Sequence, residues 1–164
     1  MRNKDKIDSQ LVGAAGEHFV VSRLLYQGML ASLAPRGVRK SDVLVNHPDG
    51  KGSSLIQVKT TQKGKDEWIM KPADADNQEK DMFYCFVNLE STPESVYVLP
   101  AQIVSRVLIA ADRAWMSKPR RDGKRKAEHK MWTLKNNFSV EVKNAPHGWM
   151  NKYREAWDLI TKRS

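Results

Sequence analysis

The sequence contains a single cysteine, Cys85, and no long apolar run. One cysteine excludes an internal disulfide, and its place in the apolar run FYCFV favours a buried structural thiol. A membrane-spanning helix needs about 20 apolar residues, and the N-terminus MRNKDKIDSQ lacks the apolar segment of a signal peptide. We therefore expect a soluble cytoplasmic protein. We expect its 164 residues to form one domain, long enough to bury a core without a structural metal.

Acidic residues are fewer than basic ones, 19 against 28, which gives a formal net charge of +9. This balance favours a polyanionic partner, with nucleic acid as the first candidate. The four histidines show no paired metal-ligand spacing, which argues against a structural zinc site. The segment DGKGSS lacks the residue order of a phosphate-binding loop, so we interpret it as a turn.

The spacing of apolar residues predicts a mixed α/β domain. Helical periodicity runs from Ser9, the expected N-cap, to about Gln27, and Gly28 is suited to end the helix. Two strands, SDVLVN and SSLIQVKTTQK, are joined by HPDGKGSS and are expected to form a hairpin. The later elements are strands in EWIMK, DMFYCFVNLE and SVYVLP, and a helix in AQIVSRVLIAADRAW.

Three further segments complete the expected domain. Residues 1–8 form a polar arm, and the basic segment 117–130 is too polar to pack, which indicates a mobile loop insertion. A C-terminal helix is expected over 147–163, because Trp149, Tyr153, Trp157 and Ile160 recur every three or four residues. Such an apolar stripe is more often core than binding surface.

Polar side chains interrupt the strand SSLIQVKTTQK. Because alternate residues share a face of a strand, Gln57 and Lys59 point one way while Ile56 and Val58 point the other. We expect the core to take only the face of Ile56 and Val58. If the hairpin forms, Asp42 approaches Gln57 and Lys59 at one end of the sheet.

Glu17 is expected to join this group from the first helix. Apolar residues three, four and seven positions later set its carboxylate against the packed side. Gly13 and Gly16 each cost roughly 1 kcal/mol of helix stability relative to alanine, which suggests that another backbone comes close there. The four polar groups suit phosphodiester hydrolysis, since carboxylate and carbonyl oxygens bind Mg2+ or Mn2+ and an ammonium can orient a water.

The order Glu17, Asp42 in SDVLV and QVK at 57–59 resembles the PD-(D/E)XK nuclease superfamily, over roughly residues 9–100. The likeness is closest to its Holliday-junction-resolvase-like and uncharacterised endonuclease-like members. It implies a restriction-endonuclease-like fold, a mixed central β-sheet flanked by helices with an αβββαβ core. It also implies a Mg2+-dependent (or Mn2+-dependent) DNA endonuclease.

The resemblance implies a role for each residue of the motif. Asp42, Gln57 and the Val58 carbonyl would bind the metal, Glu17 would complete its shell directly or through water, and Lys59 would activate or orient the attacking water. Two departures from the family pattern stand out: Ser41 replaces the usual proline, and Gln57 replaces an acid. An amide is a neutral and weaker ligand, so metal affinity should be lower, although some active relatives carry glutamine there.

Several further residues are candidates for nucleic-acid contacts. Trp68 and Trp115 could stack on bases, although buried aromatics are the commoner case. The basic loop either follows phosphates or is a solvated insertion. The candidate contacts are Arg36, Arg39 and Lys40 before Asp42, Thr60 and Thr61 after Lys59, and Arg120, Arg121, Lys124, Arg125 and Lys126 in the loop.

The sequence is compatible with three functions. The first is a metal-dependent DNA endonuclease. The second is a nucleic-acid-binding module that keeps the nuclease fold but has weak or no activity because of Gln57. The third is a structural or regulatory subunit that docks a partner through its C-terminal helix. A homodimer would suit the cutting of two DNA strands, but the sequence carries no interface signal.

Overall fold

A computed structural model describes residues 7–35, 37, 41–62, 64–119 and 131–162. Among these residues, no helix is both long and apolar enough to cross a membrane. In chain order the elements are α1 (Ser9–Tyr26), β1 (Leu30–Leu33), β2 (Val43–Asn46), β3 (Ser53–Thr61), β4 (Glu67–Met70), α2 (Pro72–Ala75), β5 (Met82–Asn88), β6 (Ser95–Pro100), α3 (Ala101–Met116), β7 (Trp132–Lys135), a 3-10 turn (Asn151–Tyr153) and α4 (Asp158–Thr161).

Five strands form the central sheet in the order β1-β2-β3-β5-β6. β2 and β3 form the expected antiparallel hairpin, with Val43 opposite Ile56, whereas β3 and β5 run parallel. The predicted mixed sheet flanked by helices is therefore confirmed. The predicted strand in EWIMK, β4, is not part of this sheet and pairs with β7 in a second, two-stranded sheet.

Both faces of the central sheet are packed, so the expectation that the core takes only one face of β3 is wrong. On one face Val20 and Leu24 of α1 join Ile56 and Val58. On the other, α2, α3 and the two-stranded sheet cover the side of Tyr84 and its neighbours. All seven residues of β5 are buried, the pattern of a strand covered on both sides. Gln57 and Lys59 are consequently half-buried.

The ends of α1 differ slightly from the prediction. Asp8, not Ser9, caps the helix, and its Oδ1 accepts a hydrogen bond of 2.7 Å from the Gln10 N–H. At the other end Gln27 is the C-cap, and Gly28 follows with a φ of 82°, which a glycine adopts without steric cost.

Gly16 lies where α1 crosses β3. A Cβ added to Gly16 would lie 1.9 Å from Thr60 Oγ1, whereas one added to Gly13 would meet no atom within 4 Å. A close approach to β3 is thus found at Gly16 and not at Gly13. The partner at Gly16 is the Thr60 side chain rather than a backbone segment. Because Gly16 packs directly on β3, the next residue, Glu17, lies close to the sheet.

The prediction of one C-terminal helix over 147–163 is wrong. In the described part of this segment, residues 147–162, the helical elements are the 3-10 turn Asn151–Tyr153 and the four-residue helix α4. Glu155 separates the two with a φ of 51°, and its N–H donates a 2.9 Å hydrogen bond to the carbonyl of Val96 in β6. This hydrogen bond to the edge strand β6, together with the left-handed backbone conformation of Glu155, interrupts the helix.

The apolar stripe of that segment packs inward. Trp149, Trp157 and Ile160 are buried, and the Trp149 indole N–H donates to the Lys135 carbonyl at 2.8 Å. The spacing of three or four residues therefore arises because one apolar side chain after another packs into the core. A partner cannot dock on these buried side chains, which removes the basis of the third predicted function.

Two predicted segments lie largely outside the described residues. Of the polar arm 1–8, only Ile7 and Asp8 are described. Of the basic insertion 117–130, only residues 117–119 are described, and they follow the end of α3, where the Ser117 N–H donates to the Arg113 carbonyl at 3.0 Å. The loop itself stays a prediction.

Candidate active site

Asp42 and Gln57 meet across the β2–β3 hairpin. The Asp42 N–H donates to the Ile56 carbonyl at 2.8 Å, which extends the strand pairing to the residue before β2. Asp42 Oδ2 accepts hydrogen bonds from Gln57 Nε2 at 2.5 Å and from the Val58 N–H at 2.7 Å. No described residue donates a hydrogen bond to the other carboxylate oxygen, Oδ1. The structure therefore brings Asp42 and Gln57 into direct contact.

Glu17 reaches the same neighbourhood from α1. Burial raises the pKa of Glu17, the negative charge of Asp42 raises it further, and His18 opposes the shift. Burial also raises the pKa of Asp42, against the opposing effects of the Val58 N–H and the Lys59 charge. Two carboxylates that repel each other in a partly desolvated place are stabilised by a cation between them.

Lys59 interacts with two acids. Its charge acts on Asp42, and its Nζ lies 3.7 Å from Oδ2 of Asp74 on α2. Sequence reasoning missed Asp74. The proline and aspartate of PADA are typical of a helix start, but a four-residue helix is too short to show which face of the sheet it will meet.

The oxygens at this site suit a weakly held divalent cation. The Asp42 and Glu17 carboxylates, the Gln57 amide oxygen and the Val58 carbonyl are the hard ligands that Mg2+ and Mn2+ prefer. Within the described part of the chain, no three His, Cys, Asp or Glu side chains form a group that could hold a metal. Gln57 also presents its NH2 group to Asp42, so its amide must rotate before its oxygen can bind.

The predicted nucleic-acid contacts are only partly described. The prediction that Thr60 contacts nucleic acid is wrong. Its Oγ1 is buried against Gly16, on the face opposite Lys59, and cannot reach a phosphate. Trp68 is 2% exposed and donates to the Val87 carbonyl, so it is unavailable for base stacking. Thr61 is buried in β3 and Trp115 is half-buried on α3, and both stay predictions. The basic candidates Arg36, Arg39, Lys40, Arg120, Arg121, Lys124, Arg125 and Lys126 lie outside the described residues.

The fold is restriction-endonuclease-like, as the resemblance implied. The bacterial homing endonuclease I-Ssp6803I matches 94% of this chain and 92% of its own, with a TM-score of 0.54 and 17% sequence identity. The Holliday junction resolvase Hjc of Archaeoglobus fulgidus matches 75% of this chain and 83% of its own, with a TM-score of 0.46 and 11% identity. No protein-family model and no curated protein matches the chain.

Proposed function

We propose that the protein is a metal-dependent endonuclease that hydrolyses DNA phosphodiester bonds at the site of Glu17, Asp42, Gln57 and Lys59. The observation that carries the proposal is the hairpin contact of Gln57 and Val58 with Asp42, with Lys59 beside it. The restriction-endonuclease-like fold, shared with a homing endonuclease, supports the same reaction class.

Each residue has a distinct role in this proposal. The Asp42 and Glu17 carboxylates, the Gln57 amide oxygen and the Val58 carbonyl would hold Mg2+ or Mn2+. A bound divalent cation stabilises charge on the phosphate and lowers the pKa of a coordinated water. Lys59 orients the attacking water and stabilises the charge that develops on the phosphate.

The net charge of +9 supports a polyanionic partner. DNA is the proposed substrate, and the basic residues 36–40 and 120–126 are the proposed phosphate contacts. If these contacts form, binding weakens as salt rises, because each neutralised phosphate releases counterions. A homodimer would supply one site for each strand of a duplex.

The test is a cleavage panel of plasmid, linear, single-stranded and four-way-junction DNA with Mg2+, with Mn2+ and with EDTA. At least one DNA form should be cut, only with metal, and Lys59→Ala or Asp42→Ala should lower the rate at least about 10²-fold while the protein stays folded. Lys51→Ala and Asp76→Ala are matched controls, because each removes the same charge from an exposed position. Unchanged cleavage by both site variants would contradict the proposal.

A second function is favoured by the hydrogen bond between Gln57 Nε2 and Asp42, because an amide donor neutralises part of the carboxylate without any metal. In this alternative the protein is a nucleic-acid-binding module with weak or no cleavage activity. DNA binding that persists in EDTA, with no form cut in Mg2+ or Mn2+, would select it.

A further inference from the structure

Asp74 is fixed on both carboxylate oxygens. Oδ1 accepts a hydrogen bond from the Tyr84 hydroxyl at 2.8 Å, and Oδ2 accepts one from the Lys71 N–H at 2.7 Å. The Tyr84 ring is 1% exposed and stacks on Phe86 with centroids 5.8 Å apart. A carboxylate bonded in this way to a packed ring and to the backbone has little freedom to rotate.

The Tyr84 hydroxyl stays protonated and therefore donates its hydrogen bond to Asp74. Burial raises its pKa, and the charge of Asp74 raises it further. Tyr84 is also the neighbour of Gln57 in the parallel pairing of β3 and β5, as Phe86 is of Lys59. Paired residues of adjacent strands point to the same face, so the aromatic pair lies beside the amide and the amine of the candidate site.

Lys59 therefore interacts with two anions. Asp74 Oδ2 lies 3.7 Å from Nζ, an ion-pair distance, with both side chains less than one-fifth exposed, and Asp42 is the second acid that its charge reaches. Gln57, two residues before Lys59 on the same face, carries no charge. Asp74 thus supplies the negative charge that an acid at 57 would have placed beside the lysine.

We propose that Asp74 is a positioning residue, which holds the Lys59 ammonium beside Asp42 and is itself oriented by Tyr84; its effect on catalysis rests on the proposed nuclease function. We assign Asp74 no role as a metal ligand, because among the described residues no three Asp, Glu, His or Cys side chains are grouped so that they could hold a metal ion. A residue that only capped α2 would need only the Lys71 contact, whereas the bond from Tyr84 orients the carboxylate that faces Lys59.

The first experiment measures Lys59 directly in the metal-free protein. Side-chain NMR order parameters should show a restrained Lys59 in the wild type, a freely moving one in Asp74→Asn and an intermediate one in Tyr84→Phe. Asp76→Asn removes the same charge from the exposed end of α2 and should leave Lys59 unchanged. Tyr84→Phe removes one oxygen from a buried ring and serves as the test if Asp74→Asn does not fold.

The second experiment measures cleavage at a temperature where every variant is folded. Asp74→Asn should lower kcat by about 10- to 100-fold with KM unchanged, because Asp74 acts through Lys59 and touches no DNA. Tyr84→Phe should change kcat in the same direction by less, and Asp76→Asn should match the wild type.

The outcomes separate the two proposals. A Lys59 that stays as ordered in both Asp74→Asn and Tyr84→Phe as in the wild type overturns the positioning role, whatever the cleavage data show. Unchanged kcat in a variant whose Lys59 is freed overturns it as well. A wild-type protein that cuts no DNA, with Lys59 freed by Asp74→Asn, supports the positioning contact and refutes the nuclease.

Discussion

Gly16 joins helix α1 to strand β3, and its replacement by alanine tests how closely the two elements pack at this point. The added Cβ would lie 1.9 Å from Thr60 Oγ1 and 3.0 Å from both Thr60 Cβ and Cγ2. Rotation of the Thr60 side chain cannot relieve all three contacts, because Thr60 Cβ is fixed by the backbone of β3. An ordinary contact begins near 3.4 Å, so α1 must move outward by about 0.4 Å even after the Thr60 hydroxyl has rotated away.

A shift of that size weakens the packing of Val20 and Leu24 against the sheet. Overpacking of a core costs typically about 1 to 3 kcal/mol, and alanine regains roughly 1 kcal/mol of helix propensity over glycine, which leaves a loss of up to about 2 kcal/mol. At about 2 to 4 °C per kcal/mol for a protein of this size, Gly16→Ala should lower the Tm by up to about 8 °C.

The matched control is Gly13→Ala, in the same helix and with no atom near its added Cβ. It should gain helix propensity alone and raise the Tm by roughly 2 to 4 °C. The double variant Gly16→Ala/Thr60→Ala removes two of the three contacting atoms and should recover part of the loss. Thermal unfolding by circular dichroism measures all of them. Equal stabilisation by Gly13→Ala and Gly16→Ala would refute the reasoning.

Two other variants test the charges at the site. The raised pKa of Asp42 means that the fold favours its protonated form, so its stabilising effect is present at low pH and is lost as pH rises through the folded pKa. Asp42→Asn should therefore raise the Tm at pH 7 in EDTA, by a margin that shrinks toward pH 4; a margin independent of pH would contradict this. Gln57→Glu replaces the 2.5 Å amide–carboxylate bond by two facing acids, so its Tm should fall in EDTA and rise more with Mg2+ than that of the wild type. An equal Mg2+-induced shift in both proteins would count against a metal between these residues.

The hairpin and its polar pair were predictable because they depend on local rules. The alternation of β3 sets Gln57 and Lys59 on one face, and the turn between the strands brings Asp42 opposite them. Packing on both faces could also have been foreseen from the unbroken apolar run of β5, which is typical of a strand covered on both sides.

The remaining features depend on contacts between distant segments. Asp74 meets Lys59 only because a four-residue helix packs beside β3, and no periodicity signals that placement. The C-terminal segment repeats its apolar residues as a helix would, yet the hydrogen bond from Glu155 to Val96 interrupts it. At Gly13 and Gly16 the same residue type has different surroundings, which only the crossing point of α1 and β3 decides.

The central claim is that Asp42 and its neighbours form a metal-dependent phosphodiesterase site. The most direct measurement is the cleavage of supercoiled plasmid and four-way-junction DNA by the wild type and by Asp42→Asn, in Mg2+ and in EDTA. Asparagine keeps the shape of the side chain and can accept the hydrogen bonds from Gln57 and Val58, so a loss of cleavage reports the charge rather than the fold. We predict Mg2+-dependent cleavage by the wild type alone. Equal cleavage by both proteins, or wild-type cleavage that persists in EDTA, would contradict the account.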